Sequence, residues 1–127
     1  MAKPNPEFSH LLPLREPTFY ILLSLAPAEK HGDAILKDME ELSQGGVKLS
    51  TSTLYEALAR LLEGGLIERV PDGAQAAAAP QMDQSHPGKP RKAYRLTKTG
   101  RGLLEAEVNR MRGLVSAAQR RLGESET

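Results

Sequence analysis

Four hydroxyl side chains follow one another at Ser50, Thr51, Ser52 and Thr53, with Lys48 shortly before them. Ser50 is predicted to cap a helix, because its hydroxyl can accept a hydrogen bond from a free amide two or three residues further on. The start of a helix also favours phosphate, and short hydroxyl side chains let the backbone approach it closely. Because capping needs only one of the four hydroxyls, the cluster predicts contact with a nucleic-acid groove.

A second stretch of the chain carries only basic charge. No acidic residue lies between Asp83 and Glu105, and the basic residues in this interval are Lys89, Arg91, Lys92, Arg95, Lys98 and Arg101. The whole chain is nearly neutral, with 17 Lys and Arg against 16 Asp and Glu, so the charge is concentrated locally. Neutralisation of phosphates with release of counterions is its most natural use. A solvated surface is the alternative for any charged run, and the residues alone leave it open.

The other polar residues form no catalytic or metal-binding pattern. His10, His31 and His86 fall in three different segments predicted as loops, without the spacing of metal ligands or a Gly-rich phosphate loop. The chain has no cysteine, which excludes thiol nucleophiles and is compatible with a reducing compartment. No apolar run approaches the ~20 residues of a membrane span. The sequence therefore predicts a cytoplasmic protein that is not an enzyme, binds no metal or cofactor and has no membrane partner.

Apolar residues at helical spacing predict three helices before the basic stretch. The first carries TFYILLSLA and ends at Pro27, the second carries DAILKDMEEL, and the third runs from the Ser50 cap to Gly64-Gly65. The third helix turns leucines inward and leaves a polar outer face, which consists of Ser52, Thr53, Glu56, Arg60 and Glu63. Tyr55 lies one residue past the inward Leu54. The sequence leaves two roles open for its side chain, packing in the core and contact with a phosphate.

Two short alternating runs, LIERV at 66–70 and AYRLT at 93–97, predict a two-stranded ribbon with a mobile tip at residues 71–90. The predicted fold is mainly α with a small two-stranded β-wing, a winged helix-turn-helix domain. A helix of ~10–12 Å fits a major groove of ~12 Å, so the third helix can enter it while the ribbon approaches the flanking backbone. The predicted DNA contacts are Lys48, Ser50, Thr51, Ser52, Thr53, Tyr55, Arg60, Lys89, Arg91, Lys92, Tyr94 and Arg95, with packing as the alternative for Tyr94.

The last segment is predicted to be a long helix with a seam that repeats every three or four residues. The seam consists of Leu104, Val108, Met111, Val115, Ala118 and Leu122. Such a seam needs a partner helix, and the same helix of a second copy would make a homodimer. Packing on its own domain is the alternative. The predicted organisation is a flexible arm at 1–13, a DNA-binding domain at 14–97, a dimerisation helix at 98–122 and a disordered tail at 123–127.

Three motifs in this order, HGDAILKDMEEL, LSTSTLYEALARLLEGGLIE and RKAYRLTKTGR, resemble the PadR family of transcriptional regulators over about residues 15–105. The resemblance implies a winged-helix DNA-binding domain, a homodimer formed by the C-terminal helix, an inverted-repeat operator on double-stranded DNA, and repression relieved by a small-molecule effector. It places the start of the family's third helix on 50–55 and its wing strand on 91–97.

The chain departs from the family pattern at three places near the predicted DNA-facing surface. Asp33 and Glu56 stand where the family often has Tyr and Pro, and Thr51-Ser52 stands where it often has Pro-Gly. These changes leave the fold intact and bear on which DNA sequence is recognised. A winged-helix sensor or protein-interaction module without DNA binding is the competing function, because Glu56 and Glu63 would repel phosphates.

Overall fold

The computed structural model describes residues 8–70 and 92–126, with side chains through Gly123. The predicted tip at 71–90 and the first seven residues of the predicted arm lie outside the described residues. After a short 3-10 turn, Ser9–Leu11, the elements are α1 (Glu16–Leu25), β1 (Lys30–His31), α2 (Gly32–Leu42), α3 (Thr51–Glu63), β2 (Ile67–Arg69), β3 (Ala93–Leu96) and α4 (Lys98–Glu126).

The core lies where the apolar faces of all four helices meet the sheet. Its fully buried side chains include Ile21 and Leu22 from α1, Ile35 and Met39 from α2, Leu54 and Leu58 from α3, and Leu103 from α4. Burial of each such side chain stabilises the fold by about 1.5–3 kcal/mol. This packing holds α3 so that its polar face points outward.

A three-stranded antiparallel sheet forms in the order β1-β3-β2, so the winged-helix class is confirmed with one strand more than the sequence predicted. The extra strand pairs Lys30 with Tyr94 and His31 with Ala93. Lys30 and His31 are both polar, so the sequence shows no alternating apolar pattern there. They form a strand only because their backbone pairs with the distant β3. The β2–β3 register places Glu68 opposite Arg95 and Arg69 opposite Tyr94.

Local chemistry sets the start of α3 as predicted. The Ser50 side chain accepts a hydrogen bond from the Thr53 amide at 3.2 Å, which is the predicted cap. The preceding α2 ends where Gln44 and Gly45 adopt positive φ values of 54° and 80°. The turn from Ser43 to Ser50 then leads the chain into the second helix of the helix-turn-helix pair.

The wing and α4 share one tightly packed junction. Thr97 Oγ1 accepts a hydrogen bond from the Gly100 amide at 3.0 Å and donates one to the Gly65 carbonyl at 2.6 Å. A Cβ atom at Gly100 would lie 1.9 Å from the Leu66 carbonyl oxygen, so only glycine allows this approach. The junction ties the orientation of the wing to the start of the long helix.

The segment just before α1 is docked, which corrects the predicted arm for residues 8–13. Phe8 is buried against Gly102 of α4, and the Leu14 amide donates a hydrogen bond to Glu107 Oε2 at 2.9 Å. Glu107 is 2% exposed and also accepts from Arg110 Nε at 2.5 Å. The Arg110 hydrogen bond lowers the pKa of Glu107, partly opposed by burial, and the Leu14 amide lowers it further.

Only the first half of α4 packs on its own domain. Leu103, Leu104 and Ala106 are buried in the core, so the assignment of Leu104 to the dimer seam is wrong. Val108 and Met111 are partly buried, whereas Val115, Ala118 and Leu122 are exposed. The 29 residues of α4 extend for about 43 Å and continue past Leu122 to Glu126, into the segment predicted as a disordered tail.

Across the residues that the structure describes, no helix combines the length and the apolar character that a membrane crossing requires.

Candidate nucleic-acid interface

The predicted hydroxyl cluster lies at the exposed amino end of α3. Ser50 donates a hydrogen bond to Thr53 Oγ1 at 2.9 Å and lies 3.3 Å from Ser52 Oγ, so one cap organises its neighbours. Thr51, Ser52 and Thr53 are exposed, and Lys48 beside them lies 3.6 Å from Glu40 Oε1. The helix start therefore presents amide and hydroxyl groups that can donate to phosphate oxygens.

The two tyrosines of the predicted site have different environments. Tyr55 is 39% exposed, and its hydroxyl lies against Gly32 at the start of α2, where a Cβ would come within 2.5 Å. Tyr55 therefore both packs α3 on α2 and shows part of its ring on the surface. Tyr94 is 2% exposed, so its assignment as a DNA contact is wrong and it packs in the core. Burial raises the pKa of the Tyr94 phenol above its ordinary value, and nearby Arg69 partly opposes this.

The centre of the outward face of α3 carries charge of both signs. Glu56, Arg60 and Glu63 are all exposed. Within residues 8–70 and 92–123, none of the three makes an ion pair or side-chain hydrogen bond. Their side chains are therefore available to a molecule that approaches this face.

On the wing, Glu68 neutralises one of the predicted cations. Arg95 Nε lies 3.2 Å from Glu68 Oε1 across the β2–β3 pair, and both side chains are about half exposed, at 46% and 47%. Lys92 is exposed, and the sequence prediction missed exposed Arg69 on β2. Alternation could not have found it, because Arg69 lies two residues from buried Ile67 and would share its side of a regular strand. Lys89 and Arg91 lie outside the described residues.

The basic stretch divides into residues with different roles. Arg101 Nη2 donates to the Ala26 carbonyl at 2.7 Å and so closes the carboxyl end of α1. Lys98 is exposed at the start of α4. The candidate interface therefore combines the amino end and outward face of α3 with Arg69, Lys92 and Arg95 on the wing.

A second polar cluster is structural. Lys30 Nζ lies 2.7 Å from Asp38 Oδ2, which also accepts from Ser24 Oγ at 3.0 Å, and Lys30 donates to the Ser24 carbonyl as well. The Lys30 hydrogen bond lowers the pKa of Asp38, partly opposed by burial. The cluster joins α1, β1 and α2. No group of three or more His, Cys, Asp or Glu side chains in the described part of the chain is placed to hold a metal ion.

Comparisons with known proteins found a matching family and similar solved structures. The profile of the transcriptional regulator PadR-like family matches residues 21–106. A PadR family transcription regulator from Clostridium difficile R20291 is similar, with a TM-score of 0.61 and 22% identity over 85% of this chain and 99% of that one. A PadR family transcriptional regulator from Eggerthella lenta DSM 2243 has a TM-score of 0.53 and 26% identity, covering 90% of this chain and 89% of that one.

Bacillus subtilis PadR, solved in complex with operator DNA, is similar with a TM-score of 0.55 and 22% identity over 72% of this chain. The aligned part is 45% of that protein, so this chain spans less than half of its length. A search of curated protein sequences found none that matches this chain significantly. The structural likenesses confirm the winged helix-turn-helix architecture.

Proposed function

Because this chain belongs to the transcriptional regulator PadR-like family, we propose that it binds operator DNA sequence-specifically as a homodimer and represses transcription. The observation that carries the proposal is the exposed hydroxyl-rich amino end of α3 on the same domain as a wing with the exposed cations Arg69 and Lys92. Hydroxyls and amides can position a helix on phosphates, while side chains further along that helix read bases.

The proposed docking places α3 in the major groove and the β2–β3 wing against the flanking backbone. Thr51, Ser52 and Thr53 lie at the positive end of the α3 dipole, where phosphate oxygens are favoured. Arg69 on β2 and Lys92, which directly precedes β3, add positive charge to the wing. Non-specific affinity then comes mainly from the wing and sequence preference mainly from α3.

Dimerisation is proposed through the second half of α4. Leu114 is 57% exposed and Val115 is 54% exposed, on a part of the helix that contacts no core of its own among the described residues. Leu114 was not among the residues of the seam that the sequence predicted. A second copy of α4 would remove these apolar side chains from water, with Val108, Met111, Ala118 and Leu122 continuing the contact. Two copies would then bind half-sites ~10 bp apart or a multiple of that distance.

Repression and its release by a small-molecule effector rest on the family resemblance. A promoter reporter that carries the selected operator tests the repression directly: expression should fall when the protein is present and recover when the operator is scrambled. Expression that rises with the protein would make it an activator. Loss of operator binding on addition of a compound would identify an effector.

The test of DNA binding is a titration against random duplex and selected operator at several salt concentrations. The triple variant Arg91→Ala/Lys92→Ala/Arg95→Ala should weaken binding to both duplexes and flatten the salt dependence, because fewer phosphates are neutralised. The matched control removes three arginines of α4, Arg112→Ala/Arg120→Ala/Arg121→Ala. Equal effects of the two triple variants, or none from the wing variant, would contradict the proposed role of the wing.

The competing function is a winged-helix sensor or protein-interaction module that does not bind DNA. The exposed Glu56 and Glu63 and the neutralised Arg95 favour it, since each reduces attraction to phosphates. The same titration separates the two functions. Binding with a steep salt dependence supports the regulator, and no binding to any duplex at low salt supports the module.

A further inference from the structure

The surface that α3 turns away from the core has a carboxylate at its centre. Leu54, Leu58 and Leu61 define the inward direction, because all three are buried. With about 100° of rotation per residue, Glu56 and Glu63 lie almost opposite that direction. On the proposed function, this is the side that enters the major groove.

The described residues offer the Glu56 carboxylate no partner. Arg60 lies four residues later, the spacing at which opposite charges can pair on a helix. Yet neither side chain forms an ion pair or a side-chain hydrogen bond with any residue in the described ranges. Phosphates repel a carboxylate at this position, and a hydrogen-bond donor in the groove would offset that repulsion.

Base edges in the major groove offer such a donor selectively. Guanine and thymine present acceptors at the positions nearest an approaching side chain, which repel a carboxylate. Adenine presents its N6 amino donor beside the N7 acceptor, whereas cytosine presents the N4 amino donor without a neighbouring acceptor. A carboxylate on the groove floor therefore selects cytosine.

We propose that Glu56 accepts a hydrogen bond from cytosine N4 and so sets one base of each half-site. This inference rests on the proposed function. Recognition helices contact base edges mainly with residues near their amino ends, and Glu56 lies in the first half of α3. Glu63 is the last residue of the same helix, about 10 Å further along its axis, and is not a base contact.

The position of Glu63 makes it the matched control. Glu56→Gln and Glu63→Gln each remove one exposed carboxylate from the same face, so both strengthen binding to random duplex by a similar factor. Only Glu56→Gln changes the sequence that is read. An amide both donates and accepts, which matches the N6 and N7 edge of adenine, so the preferred base changes from cytosine to adenine.

The experiment selects bound sequences from a random duplex library with the wild type, Glu56→Gln and Glu63→Gln, alongside a random-duplex titration. Wild type and Glu63→Gln should share a half-site in which one position prefers cytosine by about tenfold. In Glu56→Gln that position should prefer adenine. Thermal melting checks that each variant is folded. If Glu56→Gln does not fold, Glu56→Ala replaces it in the selection and should lose the base preference at that position.

Each result has a distinct meaning. The same consensus for the wild type and Glu56→Gln overturns the role of Glu56 and leaves DNA binding intact. The same change of consensus in both variants also overturns it, because removal of charge alone would then explain the change. No binding of the wild type to any duplex removes the proposed function, and this inference with it.

Discussion

The ion pair between Glu68 and Arg95 leads to a quantitative prediction about the wing. The two side chains face each other across β2 and β3, with Nε and Oε1 3.2 Å apart, so the pair contributes no net charge. Glu68→Gln keeps the size of the side chain and leaves the Arg95 charge unbalanced. We expect tighter binding of the variant to random duplex, with a steeper dependence on salt.

The size of the effect follows from one additional neutralised phosphate per protomer. Each such contact adds about 0.9 to the slope of log affinity against log salt, so raising salt from about 50 to about 200 mM costs the variant a further ~3.5-fold. An exposed ion pair contributes about 0–1 kcal/mol, which limits the gain at low salt to at most about fivefold.

Fluorescence anisotropy with a labelled random duplex measures both the affinity at low salt and its dependence on salt. Arg95→Ala in the Glu68→Gln background should return the slope to the wild-type value. Glu105→Gln removes an equal charge from an exposed position on α4, outside α3 and the wing, and should change little. An unchanged slope in Glu68→Gln would show that this part of the wing does not lie on the DNA backbone. A slope that changes equally in Glu105→Gln would make total charge the cause.

Three further predictions concern stability and can be measured by urea unfolding. Gly100→Ala should destabilise the fold by about 2–3 kcal/mol, because the new Cβ would meet the Leu66 carbonyl. The control Gly113→Ala has no atom within 4 Å of its Cβ and should stabilise the fold by about 0.5–1 kcal/mol. Equal effects of the two substitutions would contradict the close approach at Gly100. Ser50→Ala should cost about 1 kcal/mol through loss of the α3 cap, and an unchanged midpoint would show that the cap is dispensable. Because the pKa of Glu107 is lowered in the folded state, its contribution is complete above the ordinary glutamate pKa of about 4.3 and is lost as pH falls through the lower folded value. Glu107→Gln should therefore cost about 1.5 kcal/mol at pH 7 and make unfolding less sensitive to acid, and an equally steep acid dependence in the variant would assign that dependence to other groups.

Several features of the fold were predictable because their causes are local. The Ser50 cap and the Leu54–Leu58–Leu61 spacing set the start and inward face of α3, and both are confirmed. Alternation in LIERV and AYRLT predicted β2 and β3 for the same reason. The family resemblance is confirmed over residues 21–106. Each of these signals lies within a few residues of the element that it specifies.

The candidate site was only partly predictable, because the roles of individual residues depend on what they meet. Tyr94 and Arg95 are neighbours in the basic strand, yet the first is buried and the second is exposed and paired with Glu68. Arg101 belongs to the same basic stretch but closes the end of α1. Charge and spacing do not distinguish a side chain available to DNA from one already engaged within the protein.

The sequence by itself determined the order of the four helices and of β2 and β3, and the outward polar face of α3, since caps, periodicity and turn residues act over a few positions. Only the tertiary structure decided that Phe8 docks on α4, that Lys30–His31 adds a third strand, and that Leu104 belongs to the core of its own domain. The physical reason is the distance along the chain of the contacts involved: the Leu14–Glu107 hydrogen bond joins residues 93 apart, and the Arg101–Ala26 bond joins residues 75 apart. Such contacts exist only after the chain has folded, and no local pattern records them.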